Sequence, residues 1–515
     1  MPWLTTSLLT VAVCVLTYAV YRTKKIYRTW KDRGVKHEEP VLFLGNFLRT
    51  LTKKASHGER LKEVCDMFPA EKIVGFYEFL RPVLVVKDPE CVEAVLIKDF
   101  NHFYDHGFEV DEKFNPIDAN LFTMSGRRWR AYRTKLSPIF TTGKLKSMYG
   151  LMTDIGEDLM KAINREKKEC MELKDVLGRF AMDVIGSFAF GFDSGTLADP
   201  ESKFRKMGKR VFEFNVAKFL KFMFIFNFPY LAKRLGLSFN DKRVQEYFVG
   251  IIKDAIRLRT EGKTKRKDFL DLMLQLREKG SVELTSRDPG DGYLDISDNY
   301  TTDKFEVTDD LMVGQAFVFL TAGFEATAAT MNLAFYELSK NPGIQERVRE
   351  EINEKVREQG ILSFDAVKDM AYLDMCLKET MRKYPPAQVL FRNCTKEFTF
   401  PNGLVVKQGE KLIIPVFSIH RSHEYYPDPV KFDPERFGPD SFQKPCTFMP
   451  FGEGPRTCIA MRFALQQMKF CIAKILMFYR IKLNAKSKTP IELSKKTFIT
   501  STKDPLYFDL EKVTS

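Results

Sequence analysis

Phe451-Gly452-Glu453-Gly454-Pro455-Arg456-Thr457-Cys458-Ile459-Ala460 is the stretch on which the reading of this chain turns. Two glycines and a proline make a tight, irregular turn, and Cys458 closes it. An apolar pattern of helical period starts directly after it, through Ile459, Phe463, Leu465, Met468, Cys471, Ile472 and Ile475 to about Phe478. A cysteine just before a helix faces the positive end of the helix dipole and its unpaired backbone N–H groups. Both favour thiolate over thiol. The N–H groups that follow Cys458 are expected to hydrogen-bond its sulfur.

A thiolate held this way is a nucleophile or a metal ligand. A nucleophile wants a histidine base; none of the six histidines lies near in sequence, though a distant one is free to fold in. One sulfur with no second Cys or His at ligand spacing excludes a tetrahedral zinc site. It fits a haem, whose porphyrin supplies four ligands of its own. For the cysteine alone, a buried apolar thiol in a turn is the plainer reading; the surrounding pattern outweighs it. F-G-x-G-x-R-x-C resembles the haem-binding loop of the cytochrome P450 family. The resemblance implies that Cys458 is the axial thiolate on the iron of haem b, that Arg456 pairs with a haem propionate, and that Phe451 belongs to the cofactor-binding loop. The family usually has Gly where this chain has Ala460, which is still small enough for the helix to pack on the haem.

Composition agrees with a large, apolar-lined protein. At 515 residues, one large domain or two smaller ones are possible, and 44% hydrophobic content is ample for a core. The 46 Phe suggest an apolar cavity or membrane contact in addition. Net charge is +13, which reads as a solvated basic surface, an anionic membrane surface or an acidic protein partner. No basic run interleaved with aromatics appears, so nucleic acid is not expected. The nine cysteines are scattered, odd in number and without C-x-x-C, as in a reduced, cytosol-facing chain.

Leu4 to Val20 carries no charge, and about 17 residues is the short end of a membrane span. Arg22, Lys24, Lys25 and Arg28 follow, and the positive-inside rule keeps that end cytoplasmic. A cleaved signal peptide is the alternative, but a basic n-region and a small-x-small cleavage site are missing. Residues 1–21 are read as a membrane anchor, 22–48 as a basic linker and 49–515 as the catalytic domain, with Pro40 and Gly45-Asn46 leading into the body. Pro82–Val86 reads as a strand and Cys91–Ile97 as helical. Helical periodicity covers Leu145–Arg165, Leu173–Phe188, Lys203–Phe219, Asp241–Glu261 and Asp268–Lys279. Short β-prone pieces return at Phe398–Val406 and Lys411–Val416. The fold class is mainly α with a minor β-sheet portion, and no internal repeat occurs. Gly280 to Thr302 reads as a polar, turn-rich, exposed loop; its sequon Asn299-Tyr300-Thr301 should be silent on a cytosolic chain.

Thr308 predicts an N-cap, with Asp309 and Asp310 in the first turn, for a helix reaching about Lys340. Its middle, Val313 to Tyr336, is apolar on nearly every face, which means burial. Glu325 sits inside it, and a lone buried carboxylate is costly unless paired or functional. A core helix whose Glu325 has a distant partner is the bland alternative. Ala322 and Gly323 let a flat ligand approach the backbone. With the Cys458 loop, this segment resembles the family's oxygen-binding helix, A-G-x-[DE]-T-[TS]. The resemblance implies Glu325 as a proton-relay acid. Ala326 stands where the family has the threonine that helps deliver protons. Thr327 is one step on, about 100° around the helix, and is carried over only as a weak catalytic candidate.

Tyr372 to Tyr384 predicts a helix ended by Pro385-Pro386. Glu379 and Arg382 lie on one face at i, i+3; alone they would be an ordinary surface pair. They resemble the family's E-x-x-R, and Pro434-Glu435-Arg436-Phe437 resembles its P-E-R-F. The implied network fixes the loop that carries Cys458. Trp129 and Arg133 match W-x-x-x-R, which implies hydrogen bonds to the haem propionates, and Arg392 matches a third propionate partner. A Trp packed on an Arg stem is the alternative. Arg127, Arg128, Arg130 and Lys135 form the densest positive charge beyond the N-terminal flank: a solvated helix face, or a docking face for an acidic electron donor.

Two Phe-rich stretches, Phe100–Phe122 (with Phe103, Phe108 and Phe114) and Phe212–Tyr230, are read as walls of an apolar pocket fed from lipid or as core. Phe498–Thr500 offers a third wall. The resemblance implies a membrane-bound monooxygenase with NADPH–cytochrome P450 reductase and cytochrome b5 as electron donors, facing the cytoplasm from the endoplasmic reticulum. Its wording is most similar to insect microsomal detoxification members. A haem-thiolate isomerase or dehydratase needing no electron donor, and a non-catalytic haem or ligand carrier, stay open at this point.

Overall fold

In the computed structural model the described residues are 2–108, 110, 115–191, 193–213, 218, 220–221, 224–225, 228–263, 268–283 and 304–513. Helix α1 (Pro2–Ile26) ends on Lys24 and Lys25 and is apolar enough to cross a membrane. Trp3, Leu8, Leu9, Val13 and Leu16 on it are exposed. α2 (His57–Met67) opens with a full capping box between Ser56 and Glu59. β1 (Ile73–Glu78) and β2 (Arg81–Val86) form an antiparallel hairpin. The Asp88 side chain then caps a short helix, Pro89–Glu93, where the chain predicts one.

The helical body follows: α3 (Gly126–Leu136), α4 (Tyr149–Arg165), α5 (Leu173–Phe190), α6 (Lys203–Phe212), α7 (Pro229–Arg234), α8 (Lys242–Thr260) and α9 (Phe269–Glu278). The stretch predicted as one helix from Leu145 is two, broken at Met148, with a separate helix at Thr142–Ser147. The helix predicted to reach Phe219 stops at Phe212, where Glu213 turns extended. The loop predicted from Gly280 begins as strand: β3 (Ser281–Glu283) pairs with β4 (Lys304–Glu306). Backbone pairing, invisible in a three-residue segment, decides this. The rest of that loop, its sequon, Phe114, Phe214, Phe219, Phe222 and Phe226 lie outside the described residues.

α10 (Asp309–Lys340) is the axle of the molecule. Thr308 accepts a hydrogen bond from the Leu311 N–H, as an N-cap does. α5 packs along it, and the main core cluster gathers around this pair. α11 (Pro342–Gln359) and α12 (Ala371–Lys383) follow. β5 (Leu390–Asn393), the hairpin β6 (Phe398–Thr399) and β7 (Val405–Val406), and β8 (Lys411–Ile414) complete the minor sheets. The main sheet has the order β1-β2-β8-β5, with β2 and β8 parallel. α13 (Met461–Phe478) leads into β9 (Tyr479–Leu483), which pairs with β10 (Phe508–Lys512).

Candidate functional site

The decisive loop folds onto itself. The Cys458 N–H donates to the Phe451 carbonyl at 2.8 Å, and the Thr457 N–H to Gly454 at 3.0 Å. Gly452 and Gly454 sit at φ of 76° and 70°, the left-handed region. A Cβ on Gly454 would also collide with the Leu96 carbonyl. Gly454–Arg456 forms a 3-10 turn and the helix starts at Met461, so Cys458 lies three residues before α13 rather than against it. The Ala460 N–H is near enough to the sulfur to favour its thiolate. Burial pushes the Cys458 thiol up, while that N–H and the Arg133 charge pull it down. Cys458 is deep in the body yet exposed, so its sulfur faces an interior opening.

Three guanidinium groups surround this loop. Arg392, on β5, is 2% exposed, and its Nε has no hydrogen-bond partner. Burial pulls it down to about 10, opposed by Asp105. Arg456 is held well below the ordinary arginine value by burial, with Arg392 and Arg133 adding repulsion and Asp105 opposing. Burial also lowers Arg133, while Cys458 raises it. Asp105 is the carboxylate in contact, 3.4 Å from Arg456. Among the described residues, two buried guanidinium groups and the half-buried Arg133 gather near the Asp105 carboxylate, an arrangement that calls for more anionic charge. The two propionates of a haem fit that deficit, and the orphan Arg392 Nε is a donor ready for one.

Arg456 is more occupied than its motif suggests. It donates to the carbonyls of Tyr104 (2.9 Å), Leu121 (3.3 Å) and Met124 (2.8 Å). Its guanidinium carbon stacks 3.9 Å over the Trp129 ring. It therefore knits residues 104–124 to the cysteine loop, with an Nη1 hydrogen to spare for an anion. Trp129 and Arg133 share α3 as predicted, and both stand at this cluster. Asp105 and His106 were missed by the sequence reading, which weighed only the aromatics of their stretch. Asp105 accepts the Gly126 N–H at 3.0 Å, at the start of α3, and its carbonyl takes the Asn393 N–H at 2.7 Å. Burial between Arg456 and Arg392 holds His106 neutral, well below its usual value, with Nδ1 donating to the Phe122 carbonyl at 2.8 Å.

On α10, Val318, Ala322 and Ala326 recur every four residues and are less covered than their buried neighbours. A helix buried elsewhere that opens along one stripe lines a space. Ala326 is on the stripe. Thr327 is buried off it, and its hydroxyl donates to the Gly323 carbonyl at 2.6 Å. The predicted 100° displacement holds, and that hydroxyl is committed to its own helix. Glu325 is not alone: Lys174 on α5 reaches it at 2.8 Å, the distant partner of the bland reading.

The structural network is stronger than predicted. Glu379 and Arg382 form a bidentate pair at 2.7 and 2.8 Å with both side chains fully buried, not a surface pair. Arg382 also donates to the His420 and Pro429 carbonyls, both at 2.9 Å, and Glu379 accepts the Asp433 N–H at 3.0 Å. Arg436 lies 3.6 Å from Glu379. The expected basic docking face is reduced: Arg130 is buried and Arg127, Arg128 and Lys135 are half-buried, because α3 is inside the site rather than on its rim. Of the Phe walls, Phe100 and Phe103 are core. Phe108 packs on Phe122, and Phe212 sets its edge on Phe324 of α10 at 5.3 Å. Thr500 is pinned to Pro385 and Pro386, which brings the Phe498–Thr500 segment beside β5.

A cysteine loop with this donor set, beside a long helix with an open stripe, defines a haem-thiolate protein. The cytochrome P450 family model matches residues 36–508. The chain is 36% identical to "Probable cytochrome P450 6a14" of Drosophila melanogaster, covering 95% of this chain and 96% of that protein. It is 36% identical to "Cytochrome P450 6k1" of Blattella germanica (95% and 93%) and 34% identical to "Cytochrome P450 6B1" of Papilio polyxenes (98% of each). This chain belongs to the cytochrome P450 family, and it is an oxidoreductase of the monooxygenase class.

Proposed function

We propose that this protein is a membrane-anchored monooxygenase that oxidises apolar substrates with electrons drawn from NADPH through a flavoprotein reductase, with cytochrome b5 as a second donor. The observation that carries the reading is the cluster of Arg392, Arg456 and Arg133 around the Cys458 loop, in which the buried Arg392 Nε has no hydrogen-bond partner. Cys458 would hold the haem iron through its sulfur. Arg392, Arg133, Trp129 and Arg456 would hold the propionates, and the Phe451 carbonyl fixes the backbone of the cysteine. When bound, the haem would supply oxygen activation, helped by electron donation from the cysteine thiolate. The chain does the rest. The Ala460 N–H and the Arg133 charge oppose the burial that favours the thiol. The Val318–Ala322–Ala326 stripe offers a small, apolar floor on which a substrate rests close to the cofactor. Glu325 is the proton-relay acid in this reading, with Lys174 balancing its charge.

Residues 1–21, most of them in α1, are the anchor, residues 22–48 are the linker, and residues 49–515 are the catalytic domain, facing the cytoplasm at the endoplasmic reticulum. Exposed apolar α1 followed by Arg22, Lys24, Lys25 and Arg28 supports that orientation.

The first test is the spectrum of the dithionite-reduced, CO-bound protein in its native membrane. A strongly red-shifted Soret band is expected, lost in Cys458→Ser together with activity. A band of the histidine-ligated kind in fresh wild-type protein overturns the assignment. NADPH consumption with reductase then separates a monooxygenase from a haem-thiolate isomerase, which needs no electron donor.

A further inference from the structure

Two side chains that belong to none of the motifs hold the segment leading into the cysteine loop. His420 closes the short helix Val416–Ile419 and is fully buried. Its Nε2 accepts the Met449 N–H at 2.8 Å. An accepting Nε2 leaves the ring proton on Nδ1, which faces the Met381 and Arg382 carbonyls of α12 without closing a hydrogen bond. Burial keeps the ring neutral, the Arg382 and Arg421 charges act in the same direction, and those two carbonyls oppose. The lone pair on Nε2 is therefore present throughout the neutral pH range. The ring stacks on Phe448 with centroids 5.5 Å apart. Further along the same segment, the buried Tyr426 donates to the Thr447 carbonyl at 3.1 Å. A buried backbone N–H needs an acceptor, and that of Met449 finds it in an imidazole.

Both side chains also touch Arg382. Its Nη1 donates to the His420 carbonyl at 2.9 Å, and its guanidinium carbon lies 5.1 Å from the centroid of the Tyr426 ring. The buried Glu379–Arg382 pair thus reaches residues 447–449 through His420 and Tyr426. From there the path runs along the loop itself. The Met449 carbonyl accepts the Gly452 N–H at 3.1 Å, and the Phe451 carbonyl accepts the Cys458 N–H at 2.8 Å. Met449 is held on both sides: its N–H by the imidazole, its carbonyl by the turn in which Gly452 takes a positive φ. A planar ring stacked on Phe448 has little freedom to swing, so it fixes where that N–H points.

We infer that His420 is a positioning residue for the Cys458 thiolate: its imidazole sets the Met449 peptide, and the turn that presents the sulfur is built from there. The inference rests on the haem-thiolate reading above. What the site asks for is an acceptor rather than a ring. Glutamine offers an amide oxygen in place of Nε2. Phenylalanine keeps the ring and its stacking but leaves the Met449 N–H buried and unpaired. Stranding a buried donor shifts a local opening equilibrium by about tenfold or more.

The test uses the full-length holoprotein in lipid nanodiscs. The spectrum of the dithionite-reduced, CO-bound protein is followed with time in wild type, His420→Gln and His420→Phe. The rate measured is that at which the red-shifted Soret band gives way to one of the histidine-ligated kind. His420→Phe should convert about tenfold faster than wild type, and His420→Gln within about threefold of it. Amide hydrogen exchange across 449–452 should quicken in His420→Phe and stay near wild type in His420→Gln. A packing role alone predicts the reverse order, because Phe preserves the stack on Phe448 and Gln does not. Haem loss from His420→Phe with retention in His420→Gln supports the inference. The reverse order overturns it, as does equal behaviour of the two variants, with wild-type rates or haem loss in both included. A wild-type protein without the red-shifted CO band overturns the functional reading instead, and the thiolate role of His420 with it.

Discussion

Arg392 is charged, buried and short of a partner, so the empty and loaded proteins should respond to its loss with opposite sign. Arg392→Leu removes an uncompensated cation, and the haem-free protein should melt no lower than wild type. The same change removes a charge-assisted donor to a propionate, and haem loss to an excess of scavenger protein should quicken by about tenfold. Equal haem retention in variant and wild type would remove Arg392 from the propionate set. Ala326 sets a second residue-level expectation. The Thr327 hydroxyl is bound to its own helix, so it is not free to stand in for the missing one. Ala326→Thr should raise the fraction of NADPH that ends in product, read as product formed per NADPH consumed. Unchanged coupling would mean that water or another group already carries those protons. The sequence located both residues, but only the structure gave their states. A guanidinium is orphaned, or a hydroxyl occupied, by neighbours that the motif does not contain.

Among the elements, α12 shows how far burial changes the meaning of a pattern. Glu379 and Arg382 at i, i+3 would contribute a few tenths of a kcal/mol on a surface. Fully buried, they hold the segment that leads to the cysteine loop, through the His420 and Pro429 carbonyls and the Asp433 N–H. Glu379→Gln keeps the shape and strands the Arg382 charge, which should cost ~3 kcal/mol or more. Chemical denaturation should show that loss together with weaker haem retention; a loss below ~1 kcal/mol would mean that the carbonyls alone satisfy Arg382. Helices such as α5, α8, α9 and α10 were legible because capping and periodicity are local. The strands were less so. Pro82–Val86 announces itself through β-branched residues, whereas β1 and β5 exist because β2 and β8 pair with them, and β8 is more than 300 residues from β2 in the chain.

At the scale of the whole molecule, His57 and His420, like His106, tie stability to pH. His57, stacked among Phe47, Phe76 and Phe391, is lowered by burial to about 4, with Glu78 opposing and Lys411 reinforcing. His420 accepts the Met449 N–H at 2.8 Å and is lowered by burial to about 3, with Arg382 adding to the effect. Both are neutral when folded and titrate near 6.5 when unfolded, so the unfolded chain binds more protons on acidification. Their contribution is complete above pH 6.5. It is lost as pH falls, through about 4 for His57 and about 3 for His420. The loss is of order 3 kcal/mol for His57 and of order 5 kcal/mol for His420. Melting temperature should therefore fall steadily below pH 6.5, and less steeply in His57→Phe. A flat profile between pH 6.5 and 4 would contradict neutral burial.

The sequence by itself determined the family, the mainly helical class, the cysteine loop, the apolar first helix and the axle α10. Each depends on short-range terms: turn residues, caps, helical period, and the spacing of side chains within a few turns. Tertiary structure alone decided that Glu379 and Arg382 are interior, that Arg130 is not on the surface, that Lys174 meets Glu325, and that His420 takes the Met449 N–H. Those contacts join residues from three to more than 150 positions apart. Periodicity gives a side chain its face, but the charge state, partner and exposure of that face are set by whichever distant segment packs against it.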